Sequence, residues 1–480
     1  MTEELSPADR SSLAAERGPI NMAVGGLLVF DAEPPLTRRM VADRIAERIH
    51  LIPRLRQRLE EAPLGLANPV WTDDRAFDLD WHVRQASLPA PGSEAELSAL
   101  IGREFSHRLD RSRPLWEATL IEGMQGGGKG LLFKVHHALV DGMAAIGMAA
   151  LVLDPTEEPL EIPPPEEEWS PREYDLRRHV ARLASRPLAR APKLMIDGML
   201  RALDPDPRRA AGDMRRATGD MRRATEVALE LARARPQAPM TPLNRPISPN
   251  RRYAVAHGEL AGLKRAGKAA GGTVNDAVLA VVAGMLGRYL ARAGDGDWGV
   301  GAGGRTGGRG VQGQRAPVAL VPVSVREPTE SGELGNRIST VFVDLPIGEP
   351  RMAARVQAIA AQTRELKQSA AVRAGALMVG ASGWAPPLIS GLLARAMGTV
   401  RAFNLVVSNI PGPQQPFYLN GVRMREVYPV VPLNPANQCL SVGIISYDGT
   451  VCFGLLGDRD LDPPLSVAAE GLQAALAELV

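Results

Sequence analysis

The chain has only two cysteines, Cys439 and Cys452, among its 480 residues. Two thiols are too few for a zinc cluster or a disulfide scaffold, so we expect reduced core thiols in a cytosolic protein. Aromatic residues are also scarce, at 4%. No sign of charge dominates, because 56 Lys and Arg stand against 54 Asp and Glu, for a net charge of +2. Without an overall positive field, the chain is not expected to bind nucleic acid.

Signals for export and for membrane spanning are lacking as well. The N-terminal MTEELSPADR does not have the basic-then-apolar order of a secretory signal. Residues 374–393 run without a charge over about the length that spans a bilayer, but Pro386 and Pro387 interrupt them. We therefore predict two short buried helices there rather than a transmembrane helix.

The length predicts two halves, because 480 residues exceed what one hydrophobic core usually carries. Residues 1–153 alternate strand-like and helix-like segments, among them the amphipathic run ADRIAERIHLIPRLRQRL and the strand GLLFKV. Similar patterning returns over residues 241–480, with a helix near Asn275–Arg292, strands at Val318–Val325 and Ile338–Leu345, and a hairpin at Cys439–Leu456. We predict two α/β halves joined by a linker, residues 154–240.

The predicted linker changes character along its length. Residues 154–168 hold seven acids and no base, which indicates an exposed, extended segment. Pro171–Arg235 holds sixteen basic and nine acidic residues, repeats GDMRRAT in tandem, and is predicted to be helical. Its basic face is either solvated surface or a surface that docks on anionic lipid.

Two glycine motifs imitate nucleotide sites. GMQGGGK at residues 123–129 has the opening spacing of a P-loop, but Gly130 replaces the Ser or Thr, and a strand follows instead of a helix. We predict a tight turn there. Gly299, Gly301 and Gly304 match G-x-G-x-x-G inside a glycine-rich loop, residues 294–313, where no dinucleotide site is expected.

The strongest chemical signal is HHALVDG, residues 136–142, at the end of the strand GLLFKV. Adjacent strand residues point to opposite faces, so His136 and His137 are not expected to chelate one metal. An imidazole in a cleft can instead take a proton from a hydroxyl at neutral pH, with Asp141 holding the loop that aims it. Taken alone, the motif is equally compatible with a buried structural histidine pair.

The same residues resemble the HHxxxDG signature of acyltransferases built like chloramphenicol acetyltransferase and the condensation domains of peptide synthetases. Further blocks are similar to the bacterial wax ester synthase/diacylglycerol acyltransferase family and follow the family order from about residue 5 to 475. They are WTDDRAFDLDWHVR, LDR at 109–111, PLWE at 114–117, Asn275-Asp276, PVSVR ending at Arg326, Gly335-Asn336, SNIPGP at 408–413 and Ser446-Tyr447.

This resemblance implies two acetyltransferase-like α/β halves with a channel at their interface. It also implies direct transfer of a long-chain acyl group from acyl-CoA to diacylglycerol or a fatty alcohol, without an acyl-enzyme. His137 would be the general base, His136 and Gly142 would support the motif, and Asp141 would pair with a strand-end arginine, for which Arg326 is the candidate. Losing one partner of a buried pair typically costs about 3–5 kcal/mol, so we expect Arg326→Ala to harm folding and rate.

Substrate-binding roles are expected for Asn275, Asp276, Ser408 and Asn409. Asn275 could alternatively cap a helix, and Ser408-Asn409 could form an ordinary turn before Pro411. The segments Met143–Leu153 and Ala374–Leu393 are either walls of a dry acyl tunnel or plain core. The sequence does not identify the oxyanion donor. No cofactor or metal is expected, because acyl-CoA enters as a substrate.

Two rival functions stay open at this stage. One is a related HHxxxDG acyltransferase that esterifies another lipid or a polyketide alcohol, and the other is a lipid-surface scaffold without turnover. Insoluble substrates would place the protein in the cytoplasm, bound peripherally to the inner membrane or to lipid bodies.

Overall fold

The computed structural model describes residues 3–5, 7–61, 69–139, 151–172, 238–294, 315–324, 338–368, 402–435 and 437–479. The strands in these ranges are β1 (Glu3–Glu4), β2 (Ala23–Phe30), β3 (Gln57–Glu60), β4 (Val70–Asp73), β5 (Val83–Ser87), β6 (Trp116–Glu122), β7 (Lys129–His136), β8 (Arg251–Glu259), β9 (Val318–Ser324), β10 (Ile338–Asp344), β11 (Leu405–Ile410), β12 (Tyr418–Leu419), β13 (Val422–Val430), β14 (Leu440–Tyr447) and β15 (Thr450–Asp458). The α-helices are α1 (Pro7–Ala15), α2 (Arg38–Arg48), α3 (Leu79–His82), α4 (Glu94–Glu104), α5 (Leu260–Ala269), α6 (Val274–Arg292), α7 (Met352–Gln368) and α8 (Leu465–Ala477).

The first six-stranded sheet carries the histidine motif on a central strand. Its order is β12-β13-β2-β7-β6-β5, and β7 lies antiparallel to both β2 and β6. Leu131 and Phe133 face one core cluster, whereas Leu132 faces a second cluster that extends into the other half. Both faces of β7 are therefore covered, which explains the apolar stretch Leu131–Phe133 in its sequence.

The second six-stranded sheet has the order β10-β9-β11-β14-β15-β8. β11 runs parallel to β9 and β14, and the other pairs are antiparallel. α6 begins with a capping box between Thr273 and Asp276 and is buried over most of its length against α5, α7 and α8. α6 is long and apolar enough to cross a bilayer, but its burial identifies it as the core helix of this half.

One strand crosses from the second half into the sheet of the first half. β13 follows β11 in the chain but pairs with β2, and so extends the first sheet. Side chains of the second sheet hold it from the other side: Tyr253 Oη donates to Pro429 O (3.1 Å) and Ser441 Oγ donates to Val431 O (2.6 Å). The sequence pattern did not predict this crossing of β13. The domain boundaries remain a prediction.

Several local predictions are confirmed. The fold is α/β with two mixed sheets, β14 and β15 form the predicted hairpin, and α6 begins within one residue of the predicted helix. Residues 123–128 connect β6 to β7 as a turn in which Gly123, Gly126 and Gly127 have positive φ. Cys439 and Cys452 are buried free thiols.

One local prediction was wrong, and a second was wrong at its first residue only. The run ADRIAERIHLIPRLRQRL is not one helix, because α2 ends at Arg48, Pro53 begins a short 3-10 helix, and β3 follows. The acidic linker segment is exposed from Pro155 onward, but Asp154 itself is buried. Arg44 Nη2 and Arg48 Nη2 each lie 2.5 Å from its carboxylate, because a buried charge requires compensating partners.

Other predictions concern residues outside the described ranges. These are Asp141, Gly142, Arg326, the helices at 374–393, the repeat at 212–225, residues 143–150 of the proposed tunnel wall and residues 295–313 of the glycine-rich loop.

Candidate active site

The histidine motif begins where β7 ends. The backbone N–H of His136 donates to Leu115 O (3.0 Å), and that of His137 donates to Met22 O (2.9 Å). His136 is buried, with 1% of its surface exposed, whereas His137 is exposed. The two adjacent rings therefore occupy different environments, as expected for neighbouring residues at a strand end.

His136 has a defined orientation. Its Nδ1 accepts a hydrogen bond from the Ala138 N–H (3.0 Å), which assigns the ring proton to Nε2. Nε2 faces Glu16 Oε1 at 3.6 Å. These contacts fix the orientation of the His136 ring beneath the strand end.

Glu16 is a buried carboxylate, 5% exposed, that the sequence analysis missed. It accepts hydrogen bonds from the Met22 N–H (3.2 Å) and from Arg111 Nη2 (3.0 Å). Burial alone would raise its pKa, but the His136 ring, the Met22 N–H and Arg111 outweigh burial and lower the pKa from 4.5 to about 2. Glu16 is therefore ionised at neutral pH and holds the N-terminal chain against the histidine motif.

His137 combines exposure with a desolvated setting. Loss of surrounding water lowers its pKa below 6.5, and His136 contributes in the same direction. A hydrogen bond to its own backbone carbonyl and the charge of Asp9 oppose this shift. Solvent therefore reaches the ring without fully hydrating it, and the imidazole is neutral at pH 7.

Ser12 lies beside the His137 imidazole, with its Oγ 3.5 Å from Nδ1. Ser12 and Glu16 are four residues apart, so α1 and its end present one hydroxyl and one carboxylate on the same side. The two histidines are thus flanked by one short N-terminal segment. No spacing rule in the sequence singles out these residues, although Arg111 lies in the LDR block at 109–111.

Asn275 and Asn409 are brought together across the second half. Asn409 Nδ2 donates to Asn275 Oδ1 (3.1 Å), which joins the start of α6 to the end of β11. The alternative reading of Asn275 as a helix cap is wrong, because Thr273 is the N-cap residue. Ser408 and Asn409 lie within β11, so the turn reading for them is also wrong.

Asp276 has a structural role in the same region. It is 3% exposed, and Oδ2 accepts from the Thr273 N–H (2.7 Å) and hydroxyl (2.8 Å), while Oδ1 accepts from Thr363 Oγ1 (2.8 Å). These bonds use the carboxylate to fasten α6 to α7. Within the described ranges, no group of three or more His, Cys, Asp or Glu residues could hold a metal ion.

Comparison with known proteins places the chain among acyltransferases. A family model described as "Wax ester synthase/diacylglycerol acyltransferase catalytic domain" matches residues 5–278, and one described as "WS/DGAT C-terminal domain" matches residues 334–480. The chain is 30% identical over 485 residues to the probable diacylglycerol O-acyltransferase tgs2 of Mycobacterium tuberculosis strain H37Rv, covering 99% of this chain and 98% of that protein.

Solved structures give the same picture at the level of the fold. The wax ester synthase/diacylglycerol acyltransferase of Marinobacter aquaeolei VT8 superimposes with a TM-score of 0.66 at 27% identity, over 99% of this chain and 98% of that one. The first condensation domain of the calcium-dependent antibiotic synthetase has a TM-score of 0.54 at 17% identity, over 100% and 96% of the two chains. This second likeness concerns the fold alone.

Proposed function

This chain belongs to the wax ester synthase/diacylglycerol acyltransferase family and is an acyltransferase, and we propose that it transfers a long-chain acyl group from acyl-CoA to an alcohol. Diacylglycerol and long-chain fatty alcohols are the proposed acceptors, in line with the activities after which the relatives are named. The observation that carries the proposal is the accessible, neutral imidazole of His137 beside the fixed ring of His136.

His137 acts as the general base in this proposal. In this proposal Nδ1 carries the ring proton, on the side of Ser12, and Nε2 is the free basic nitrogen. Nε2 takes the proton from the acceptor hydroxyl while the oxygen attacks the thioester carbonyl. The tetrahedral intermediate then expels the CoA thiolate, which receives the proton from His137. The ester and free CoA leave, and no acyl-enzyme forms.

The remaining assignments follow from the same proposal. Asp141 and Gly142 would shape the turn after His137, and Arg326 would pair with Asp141 from the second half. Asn275, Asp276, Ser408 and Asn409 would line or support the acceptor side of a channel between the halves. The protein would work at the cytoplasmic face of a membrane or on lipid bodies, where its acceptors are found. It would need no cofactor, because acyl-CoA is consumed as a substrate.

The test is an acyl-transfer assay with labelled palmitoyl-CoA and either dioleoylglycerol or hexadecanol. We expect His137→Ala to lower kcat by about 10²–10⁴-fold, since that is the usual contribution of a general base. His107→Ala, which changes an exposed histidine, is the matched control and should keep the parent rate. A His137→Ala variant with the parent rate would refute the general-base assignment.

Two further measurements separate the finer claims. Ester formation with both acceptors supports the proposed substrate class, whereas activity with neither favours an acyltransferase for another lipid or polyketide alcohol. Intact-protein mass spectrometry after mixing with palmitoyl-CoA alone should show no acyl adduct. A palmitoyl adduct that disappears on adding acceptor would contradict direct transfer.

A further inference from the structure

We propose that Arg251 of the second half is a positioning residue for His137, acting through residues Glu16–Met22, which we name the N-terminal strap. This inference rests on the proposed role of His137. Arg251 does not touch the imidazole. It ties the strap, and through the strap the histidine motif, to the second half.

The Arg251 guanidinium is buried and every contact it makes is directional. Its side chain is 2% exposed, and Nη2 donates to Pro19 O (2.7 Å). Nη1 donates to Ser248 O (2.5 Å) and Asn250 O (3.2 Å) and lies 3.6 Å from Asp458 Oδ2. One end of the planar group is thus fixed in the second half, and the other end holds a carbonyl of the strap.

Asp458 holds the arginine in place from within the second half. It is 1% exposed and accepts hydrogen bonds from the Ser248 N–H (2.6 Å) and the Asp460 N–H (2.9 Å). The backbone N–H of Arg251 also donates to Ser106 Oγ (2.8 Å), just beyond the end of α4. The residue therefore stands where both halves and the strap meet.

The strap is fixed along its length and ends on the histidine motif. Asn21 Nδ2 donates to Phe105 O (3.0 Å) and His107 O (2.7 Å). Met22 O accepts the His137 N–H (2.9 Å), and Glu16 meets both the Met22 N–H and the His136 ring. Three residues along the chain separate Pro19, whose carbonyl Arg251 holds, from Met22, whose carbonyl accepts the His137 N–H.

Position matters for a general base, because a displacement of about 1 Å can lower a rate by about 10²-fold. Arg251→Lys keeps the charge but replaces the planar fork with a single amine, which cannot hold Pro19 and Ser248 together. Arg355→Lys is the matched control. Arg355 is 3% exposed, contacts Glu349 O, Pro350 O and Glu478, and lies wholly within the second half.

The primary readout does not depend on activity. Diethyl pyrocarbonate modifies neutral imidazoles, so the pH dependence of its reaction with His137, followed by tandem mass spectrometry, reports the pKa of that ring. We expect the midpoint to rise towards 6.5 in Arg251→Lys, because a loosened strap admits water around the imidazole. Arg355→Lys should leave the midpoint unchanged. An unchanged midpoint in Arg251→Lys would overturn the proposal.

The kinetic readout separates positioning from plain destabilisation. We expect Arg251→Lys to lower kcat by about 10-fold and to change KM by no more than about 2-fold. Arg355→Lys should keep the parent kcat even if its melting temperature falls as much as that of Arg251→Lys. Equal kinetic losses in the two variants would overturn the proposal while leaving the function of His137 intact. If the parent transfers no acyl group, the proposed function fails, and the diethyl pyrocarbonate midpoint still decides whether Arg251 positions His137.

Discussion

The two halves bury their polar groups for different purposes. In the first half, buried charge gathers next to the histidine motif, where Glu16 meets Arg111 and His136. In the second half, the buried polar groups next to Asn275 serve the helix ends, as Asp276 does for α6. Buried charge beside the histidine motif thus fixes the chain around His136, whereas Asp276 joins helices, and β13 follows β11 of the second half but pairs with β2 of the first.

Removing the Glu16 charge should have the largest effect on stability. Its pKa falls from 4.5 to about 2 on folding, so we expect Glu16→Gln to cost about 3 kcal/mol at pH 7 in urea unfolding. A depressed pKa stabilises the fold above pH 4.5, and this contribution is lost as the pH falls towards 2. The difference between variant and parent should therefore narrow below pH 4.5.

Glu61→Gln is the control for Glu16→Gln. Glu61 is 71% exposed and lies 3.9 Å from the same arginine, Arg111. An exposed pair contributes at most about 1 kcal/mol, so this variant should stay close to the parent. Equal losses in the two variants would show that burial of Glu16 does not matter.

A methyl group at Gly454 should disturb the crossing strand β13. A Cβ there would stand 2.0 Å from Pro429 O and 2.4 Å from Tyr253 Oη, so β15 and β13 would have to separate. We expect Gly454→Ala to cost about 1–3 kcal/mol in thermal or urea unfolding. Gly348→Ala, where a Cβ meets nothing within 4 Å, should be close to neutral. A neutral Gly454→Ala would mean that the two sheets are not held tightly across β13.

Breaking the Asn275–Asn409 hydrogen bond should have a smaller effect. We expect Asn275→Ala to cost about 1 kcal/mol, the usual net value of one hydrogen bond. Asn409→Ala should cost a similar amount, and the double variant little more, because both changes remove the same bond. Additive losses in urea unfolding would show that the two amides act independently.

The smallest expected effect is a displaced pH profile. Neutral His137 is the proposed base, so kcat/KM should fall as the pH drops through its pKa, which lies below 6.5. The half-maximal rate on the acid side should therefore lie below pH 6.5. A midpoint at or above pH 6.5 would contradict the partly desolvated environment of the ring.

The local hydrophobic pattern of the sequence was sufficient to predict the helices and strands that are buried along most of their length. β7 has residues 130–136 all buried, and α6 is apolar over most of its surface, so their sequences reveal them without knowledge of their neighbours. Pattern was insufficient at Ile49–Glu60, where tertiary packing turns an amphipathic run into short helices and a strand. The site follows the same division. His136 and His137 were singled out by the contiguous motif HHALVDG at a strand end, whereas no motif contains Ser12 and Glu16.

The order of residues was enough to establish the α/β class, the family, the histidine motif on its strand and the reduced thiols, since each depends on local periodicity or on a contiguous motif. Contacts between distant segments depended on how the chain folds back on itself. Glu16 reaches Arg111 across 95 residues and Arg251 reaches Pro19 across 232, while β13 leaves its own half to pair with β2. Such contacts form because a buried charge needs a partner and a strand edge needs a neighbouring strand. The partner and the neighbour come from distant parts of the chain, so no short stretch of sequence identifies them.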